Sequence, residues 1–290
     1  MSTLPTPFTL HQNHIHLPVT IGDDIHGDFL LDTGASTTVV STSFLGRVHL
    51  PIAGIRGSTA FAMGGLIDHS VEGITLPSLT CAGQTVTDLN VTQVNANPLK
   101  QQFGSAPDGV LGVNFLRQFE TTLNYPGRTI SFARLDSSQP LDTQSRLAED
   151  HPAIFNAHLR DNWLWELTAR LNDRIAVTAL LDLGAPRSIL NWNAARALGY
   201  TPDSPELRPG RSPMLGMDGR TITPLYAPPM TVELGPIVWP TSVLAIADMP
   251  IAKQMHVTFM PLLILGNDLL QSLELVLNYP MARVGLFPTE

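Results

Sequence analysis

Apolar and polar residues alternate along much of this chain with the two-residue period of half-buried strands. HIHLPVTIG, His14–Gly22, is the clearest case, and GDFLLDTG carries the pattern from Gly27 into a tight turn. TITPL, MTVEL, WPTSVLAIAD and ARVGLF repeat it in the second half. Helical signals are short. SFLGRV follows the first turn, and NWNAARALG, Asn191–Gly199, has Asn191 as N-cap and Gly199 at its end. VNFLRQFE and NDLLQSLE each follow an apolar run that ends in Gly. The pattern predicts a mainly β protein with a few short helices, consistent with 24 Pro and 22 Gly in 290 residues.

The same landmarks occur twice. LLDTGAST, Leu30–Thr37, matches LLDLGAPRS, Leu180–Ser188. DGVLG, Asp108–Gly112, matches LLILG, Leu262–Gly266, and LNYP occurs at Leu123–Pro126 and again at Leu277–Pro280. The offset is 150 residues at the first landmark and 154 at the other two. Separated landmarks at a near-constant offset indicate a duplicated unit. The polar stretch around Asp136–Asp150 has no periodicity and reads as a connector. The expected organisation is one lobe at 8–135, a linker at 136–152 and a second lobe at 153–288.

Each copy supplies one aspartate, Asp32 or Asp182, at the end of an apolar strand. Gly34 and Gly184 then permit a sharp turn and close approach of a second backbone. If the two turns meet, carboxylates at hydrogen-bond distance cannot both ionise, and the pair holds one proton. One carboxylate takes a proton from water while the other donates to a carbonyl oxygen, which is general acid–base chemistry. Between turn and apolar-Gly run each copy has a Gly-bearing hairpin, AMGGLID (Ala62–Asp68) or GMDGRTI (Gly216–Ile222). Met63, Gly64 and Gly65 in the first, and Met217, Asp218 and Gly219 in the second, are placed to cover a cleft.

These residues are similar to the retropepsin-like branch of the aspartic proteases. LLDTGAS resembles the family's catalytic turn, with Asp32 as its catalytic residue, and Ala35 and Ala185 match retropepsins rather than pepsins. DGVLGVNFL and LGNDLL resemble the family's apolar-Gly segment and following helix. Retropepsins pair two identical subunits; this chain resembles two such lobes fused. The resemblance implies two β-barrel lobes about a pseudo-two-fold axis and a peptidase needing no cofactor. A peptide or protein substrate would lie extended beneath the hairpins, and a monomer would suffice for the site. In the family, the Thr or Ser after each Asp reaches across to the opposite turn. Thr33 is equipped for this and Leu183 is not; Ser36 likewise faces Pro186. Either one grip suffices in a fused chain, Asp182 then carrying the shared proton, or the second lobe has drifted from peptide cleavage. Two other readings stay open: proton transfer on a small molecule (cyclisation or isomerisation), and peptide binding without turnover.

The remaining chemistry is sparse. A net charge of −8 and a pI near 5.5 argue against nucleic acid and anionic membranes. The single Cys81 excludes an intrachain disulfide, and no spanning segment or signal peptide is evident, so a soluble cytoplasmic protein is expected. His14 and His16 share a strand face near His11. Without a carboxylate or Cys partner placed by sequence they read as strand surface, and no metal is expected. Trp163 and Trp165 read as core or lobe interface. Asn114 and Asp268 read as helix caps, and Asp108, Tyr125 and Tyr279 as turn and packing residues.

Overall fold

A computed structural model describes residues 4–48, 55–57, 61–62, 65–66, 72–95, 107–136, 138–160, 163–211, 213–215, 221–248 and 259–289. In the first lobe the strand His14–Ile21 fully buries Ile15, Leu17, Val19 and Ile21 and leaves His14, His16 and Thr20 half-buried and Pro18 exposed. It pairs antiparallel with Ile25–Leu31, whose other edge holds Gly109–Leu111 in parallel. Gly109–Leu111 is bounded on its far side by Val39–Ser41 and is buried throughout. That burial is why the sequence there is continuously apolar rather than alternating. Val39–Ser41 runs parallel to Gln84–Val94, which pairs with Glu72–Cys81. Glu72–Cys81 returns to His14–Ile21 and closes the barrel.

The second lobe repeats this path. Trp165–Leu171 pairs with Ile175–Leu181, and Leu262–Leu265 lies between Ile175–Leu181 in parallel and Ile189–Leu190 antiparallel. Its closing strand is broken. Ile237–Ser242 pairs with Met230–Leu234, and Ala245–Ile246 pairs with Ile189–Leu190. Pro240 lies within this stretch, where a missing N–H limits pairing.

A six-stranded sheet joins the lobes, in the order Thr6–Pro7, Thr129–Arg134, Phe119–Asn124, Leu273–Asn278, Arg283–Pro288, Ile154–Asn156. Its central pair has a self-complementary register: Glu120 faces Asn278, Thr122 faces Val276, and Asn124 faces Glu274. Each of these residues and its repeat exchange places about the Thr122–Val276 pair, where the pseudo-two-fold axis therefore passes. The connector is fastened to this sheet. Glu120, buried, accepts hydrogen bonds from Ser145, from the Arg146 N–H and from Asn278. One apolar cluster runs through both lobes and includes Phe115, Phe119, Phe132, Trp165, Leu183 and Tyr279.

The Asn191-capped helix forms over Trp192–Ala197, with the Asn191 side chain accepting from Ala194 N and Gly199 at φ +98° just beyond. Two helices are shorter than the apolar pattern suggests. Val113–Leu116 and Asn267–Leu270 each end within one turn, because Phe119 and Leu273 enter the inter-lobe sheet. TITPL is likewise split into Thr221–Ile222 and Leu225–Tyr226 around Pro224.

Candidate active site

Each aspartate stands one residue past a buried parallel ladder. Asp32 N–H donates to Leu111 O and Asp182 N–H to Leu265 O, both at 3.1 Å. The chain then turns back so that Asp32 Oδ1 accepts from the N–H groups of Gly34 (2.6 Å) and Ala35 (3.1 Å). Asp182 Oδ1 accepts from Gly184 N–H at 2.8 Å. The two carboxyl groups are hydrogen-bonded to each other. Gly184 is the point of closest approach. A Cβ on it would lie 2.3–2.5 Å from the Cγ and both oxygens of Asp32. Only glycine leaves room there.

The surroundings of the pair are unequal. Asp182 is buried, at 1% exposure, whereas Asp32 is half-buried. Burial raises the pKa of Asp32, opposed by the hydrogen bond from Asp182 and by the N–H groups of Gly34 and Ala35. Burial raises Asp182 well above the ordinary carboxylate range, and the charge of Asp32 and the hydrogen bond to it act in the same direction. Both shifts are upward, and at this separation the titrations belong to the pair rather than to either residue.

Thr33 crosses between the lobes. Its hydroxyl donates to Leu181 O at 3.2 Å and accepts from Leu183 N–H at 3.0 Å. Leu183 makes no return grip; its side chain is fully buried in the apolar cluster. Ser36 and Pro186 are both half-buried. The hydroxyls that brace the two turns stand two positions further on, at Thr38 and Ser188. Thr38 donates to Asn114 Oδ1 at 2.7 Å and accepts from Gly112 N–H at 3.1 Å. Ser188 donates to Asp268 Oδ1 at 2.6 Å and accepts from Gly266 N–H at 3.0 Å. Asn114 and Asp268 thus tie turn to helix; the capping role expected for them is replaced by this one. A Cβ on Gly112 would lie 2.6–2.8 Å from backbone atoms of Thr37 and Ala35, and one on Gly266 2.7–2.8 Å from those of Arg187 and Ala185. The glycine ending each apolar run is there because a turn backbone passes over it.

Asn267 and Asn13 also belong to this region, and the sequence reading passed over both. Asn267, fully buried, donates to Leu183 O at 2.8 Å and to Asn13 O at 2.7 Å. Its one signal was a mismatch: Val113 holds the matching place in the first copy. Asn13 sits in a polar turn with no such signal.

Each hairpin expected over the cleft is present in its flanks. Phe61–Ala62 pairs with Gly65–Leu66, Gly65 facing Ala62, and Met214–Leu215 pairs with Thr221–Ile222. Met63, Gly64, Met217, Asp218 and Gly219 lie outside the described residues. Trp165 is buried against Tyr279, ring centroids 4.5 Å apart, and Trp163 lies under the Arg117 guanidinium of the other lobe. Asp108 accepts from Asp28 N–H and pairs with Arg47. Burial pushes the Cys81 thiol up to about 12, which leaves it protonated. Among the described residues no group of three or more His, Cys, Asp or Glu is placed to hold a metal ion, and no helix is long and apolar enough to cross a membrane.

A search of the curated proteins finds no match for the chain. Residues 17–115 match a family model described as aspartyl protease. That span runs from the strand before Asp32, through its turn and hairpin, to the helix after Gly112. Over residues 17–115 the chain is similar to the retropepsin-like aspartyl proteases, and its second lobe repeats the strand pairing of the first.

Proposed function

We propose that this chain is an aspartic endopeptidase, with lobes at 8–135 and 153–288 joined through 136–152, and with Asp32 and Asp182 as its catalytic pair. One observation carries the reading: two carboxyl groups, one per lobe, hydrogen-bonded to each other in unlike surroundings. Asp32, more open and ionised, takes a proton from a water molecule as that water attacks the peptide carbonyl carbon. Asp182, buried and protonated, gives its proton to the carbonyl oxygen. The resulting gem-diol collapses as one hydroxyl proton returns to a carboxylate and a carboxyl proton passes to the departing nitrogen. The C–N bond breaks, and no covalent enzyme intermediate forms. Thr33, Gly34 and Gly184 hold the carboxyl groups in place. A peptide would lie extended between the lobes, its backbone meeting the hairpins near Gly64, Gly65 and Gly219. Both halves of the site come from one chain, so self-association is not required.

The test is a peptide library incubated across acidic to neutral pH and read by mass spectrometry, beside Asp32→Asn and Asp182→Asn proteins that retain the fold. Cleavage by the parent alone supports the peptidase. Binding without cleavage supports a peptide-binding module. A library left unbound and uncut points to proton transfer on a small molecule, the reading that the apolar Leu183 favours.

A further inference from the structure

We infer that Asn267 is a positioning residue that supplies, from the second lobe, the inter-lobe hold on the Asp182 turn that a Thr or Ser at Leu183 would otherwise make. The inference rests on the catalytic pair proposed above. The two apolar-Gly runs make the same backbone bond to their turns. Val113 N–H donates to Ala35 O and Asn267 N–H to Ala185 O, both at 2.9 Å. They differ in the side chain that follows. Val113 offers none for hydrogen bonding. The Asn267 amide donates to Leu183 O, inside the second turn, and to Asn13 O, in the first lobe. Its Oδ1 accepts from the Tyr125 hydroxyl of the first lobe at 2.5 Å, which fixes the amide in the donating orientation.

Asn13 completes the hold. It sits at φ +64° in the turn between Thr9–His11 and His14–Ile21. Its amide donates to Pro186 O at 3.1 Å, and its Oδ1 accepts from Gln271 at 3.0 Å. Two carbonyls of the second turn, Leu183 and Pro186, are thus held by amide N–H groups, and both amides are bonded across the lobe junction. Thr33 does the corresponding work for the first turn through Leu181 O and Leu183 N–H. The repeat has kept one hydroxyl grip and replaced its partner with an amide grip. A buried turn carbonyl left without a donor would shift toward one, and the carboxyl group of Asp182, on the residue before Leu183, would move with it.

The decisive variant is Asn267→Val, which installs the first lobe's residue. Tyr125→Phe removes only the hydroxyl that orients the amide, and serves should Asn267→Val not fold. Melting temperature, kcat and KM against pH on a peptide cleaved by the parent, and carboxyl ¹³C NMR titration are measured together. Asn267→Val is expected to lower kcat about tenfold with KM within about threefold, since misplacement acts on the reacting geometry. The Asp182 titration should move upward, because the Gly184 N–H bond that favours its ionised form loosens. Tyr125→Phe should move both readouts in the same directions, by about threefold in kcat. Leu183→Thr added to Asn267→Val should recover at least half of the lost kcat. An unchanged titration and kcat in Asn267→Val, or a loss confined to melting temperature, overturns the inference. If the parent cleaves no peptide, the peptidase reading fails instead, and the carboxyl titration alone decides the role of Asn267.

Discussion

The two aspartate turns hold equivalent places in two like lobes and differ in how each is held. The first carries Thr33, whose hydroxyl spans the lobes, and leaves Asp32 half-buried. The second carries Leu183, sunk in the apolar cluster, and leaves Asp182 at 1% exposure. A symmetric pair of carboxylates has no preferred site for its proton. Here burial raises both groups, while the hydrogen bond between them and the Gly34 and Ala35 N–H groups hold Asp32 down and the charge of Asp32 pushes Asp182 further up. The difference teaches that a duplicated site can make two identical carboxyl groups unlike by changing only their supports, and on the proposed function that difference would assign acid and base. Fusion makes this possible, because mutations in one lobe no longer appear automatically in the other.

The comparison breaks most severely at the carboxyl groups. Asp32→Asn and Asp182→Asn are each expected to reduce kcat/KM by at least about 10³-fold, measured on any peptide the parent cleaves. They should differ in stability. The raised pKa of Asp182 means that the folded state binds more protons than the unfolded chain above the ordinary Asp value. Stability is therefore lost as pH rises from that value through the folded pKa. Asp182→Asn should melt higher than the parent at neutral pH, by more than Asp32→Asn does, in thermal scans from pH 4 to 8. Equal gains would remove the asymmetry.

Gly184→Ala comes next. Its methyl would occupy the space of the Asp32 carboxyl group, so about a 10²-fold loss of kcat is expected, with KM changed little. Gly266→Ala meets backbone rather than a carboxyl group. It should cost stability, about 2 kcal/mol or more by urea unfolding, as overpacking against a fixed chain does.

Thr33→Val tests the hydroxyl grip. It strands Leu181 O and Leu183 N–H in a buried place, and a loss of about 1–3 kcal/mol is expected in urea unfolding. Leu183→Val leaves those bonds in place and removes one buried methylene, so about 1 kcal/mol is expected. A larger effect from Leu183→Val would mean that packing, not the Thr33 bridge, holds the turns together.

The comparison farthest from the paired carboxyl groups concerns His14, whose repeat partner is the buried Leu164. Burial, aided by His16 and His11, lowers the His14 pKa to about 4. His16 in turn meets Asp28 at 2.7 Å. A histidine with a depressed folded pKa binds its proton more readily when unfolded, so it costs stability as pH falls from its ordinary value of 6.5 toward 4. His14→Leu should remove up to about 3 kcal/mol of that acid loss, seen as a flatter melting profile between pH 7 and 4. An unchanged profile would place the acid sensitivity elsewhere.

Local patterns carried the frame of this molecule. Alternation in His14–Ile21 marked a half-buried strand, and the apolar runs before Gly112 and Gly266 marked equivalent points of two copies. The repeat offset placed Asp32 and Asp182 in equivalent turns and the hairpins after them. Such features are written into neighbouring residues, because side-chain period and turn chemistry are short-range. The inter-lobe register was not legible. Phe119 and Leu273 read as continuations of helices and became sheet because a strand from the other lobe pairs with them. The roles of Asn267, Asn13, Thr38 and Ser188 were not legible, even where the residue lay inside a repeated segment, since each matters only through a carbonyl, amide or hydroxyl group supplied from a distant part of the chain. The unequal burial of the two aspartates has the same origin. Burial is set by everything packed around a group, and no single segment of the chain contains that information.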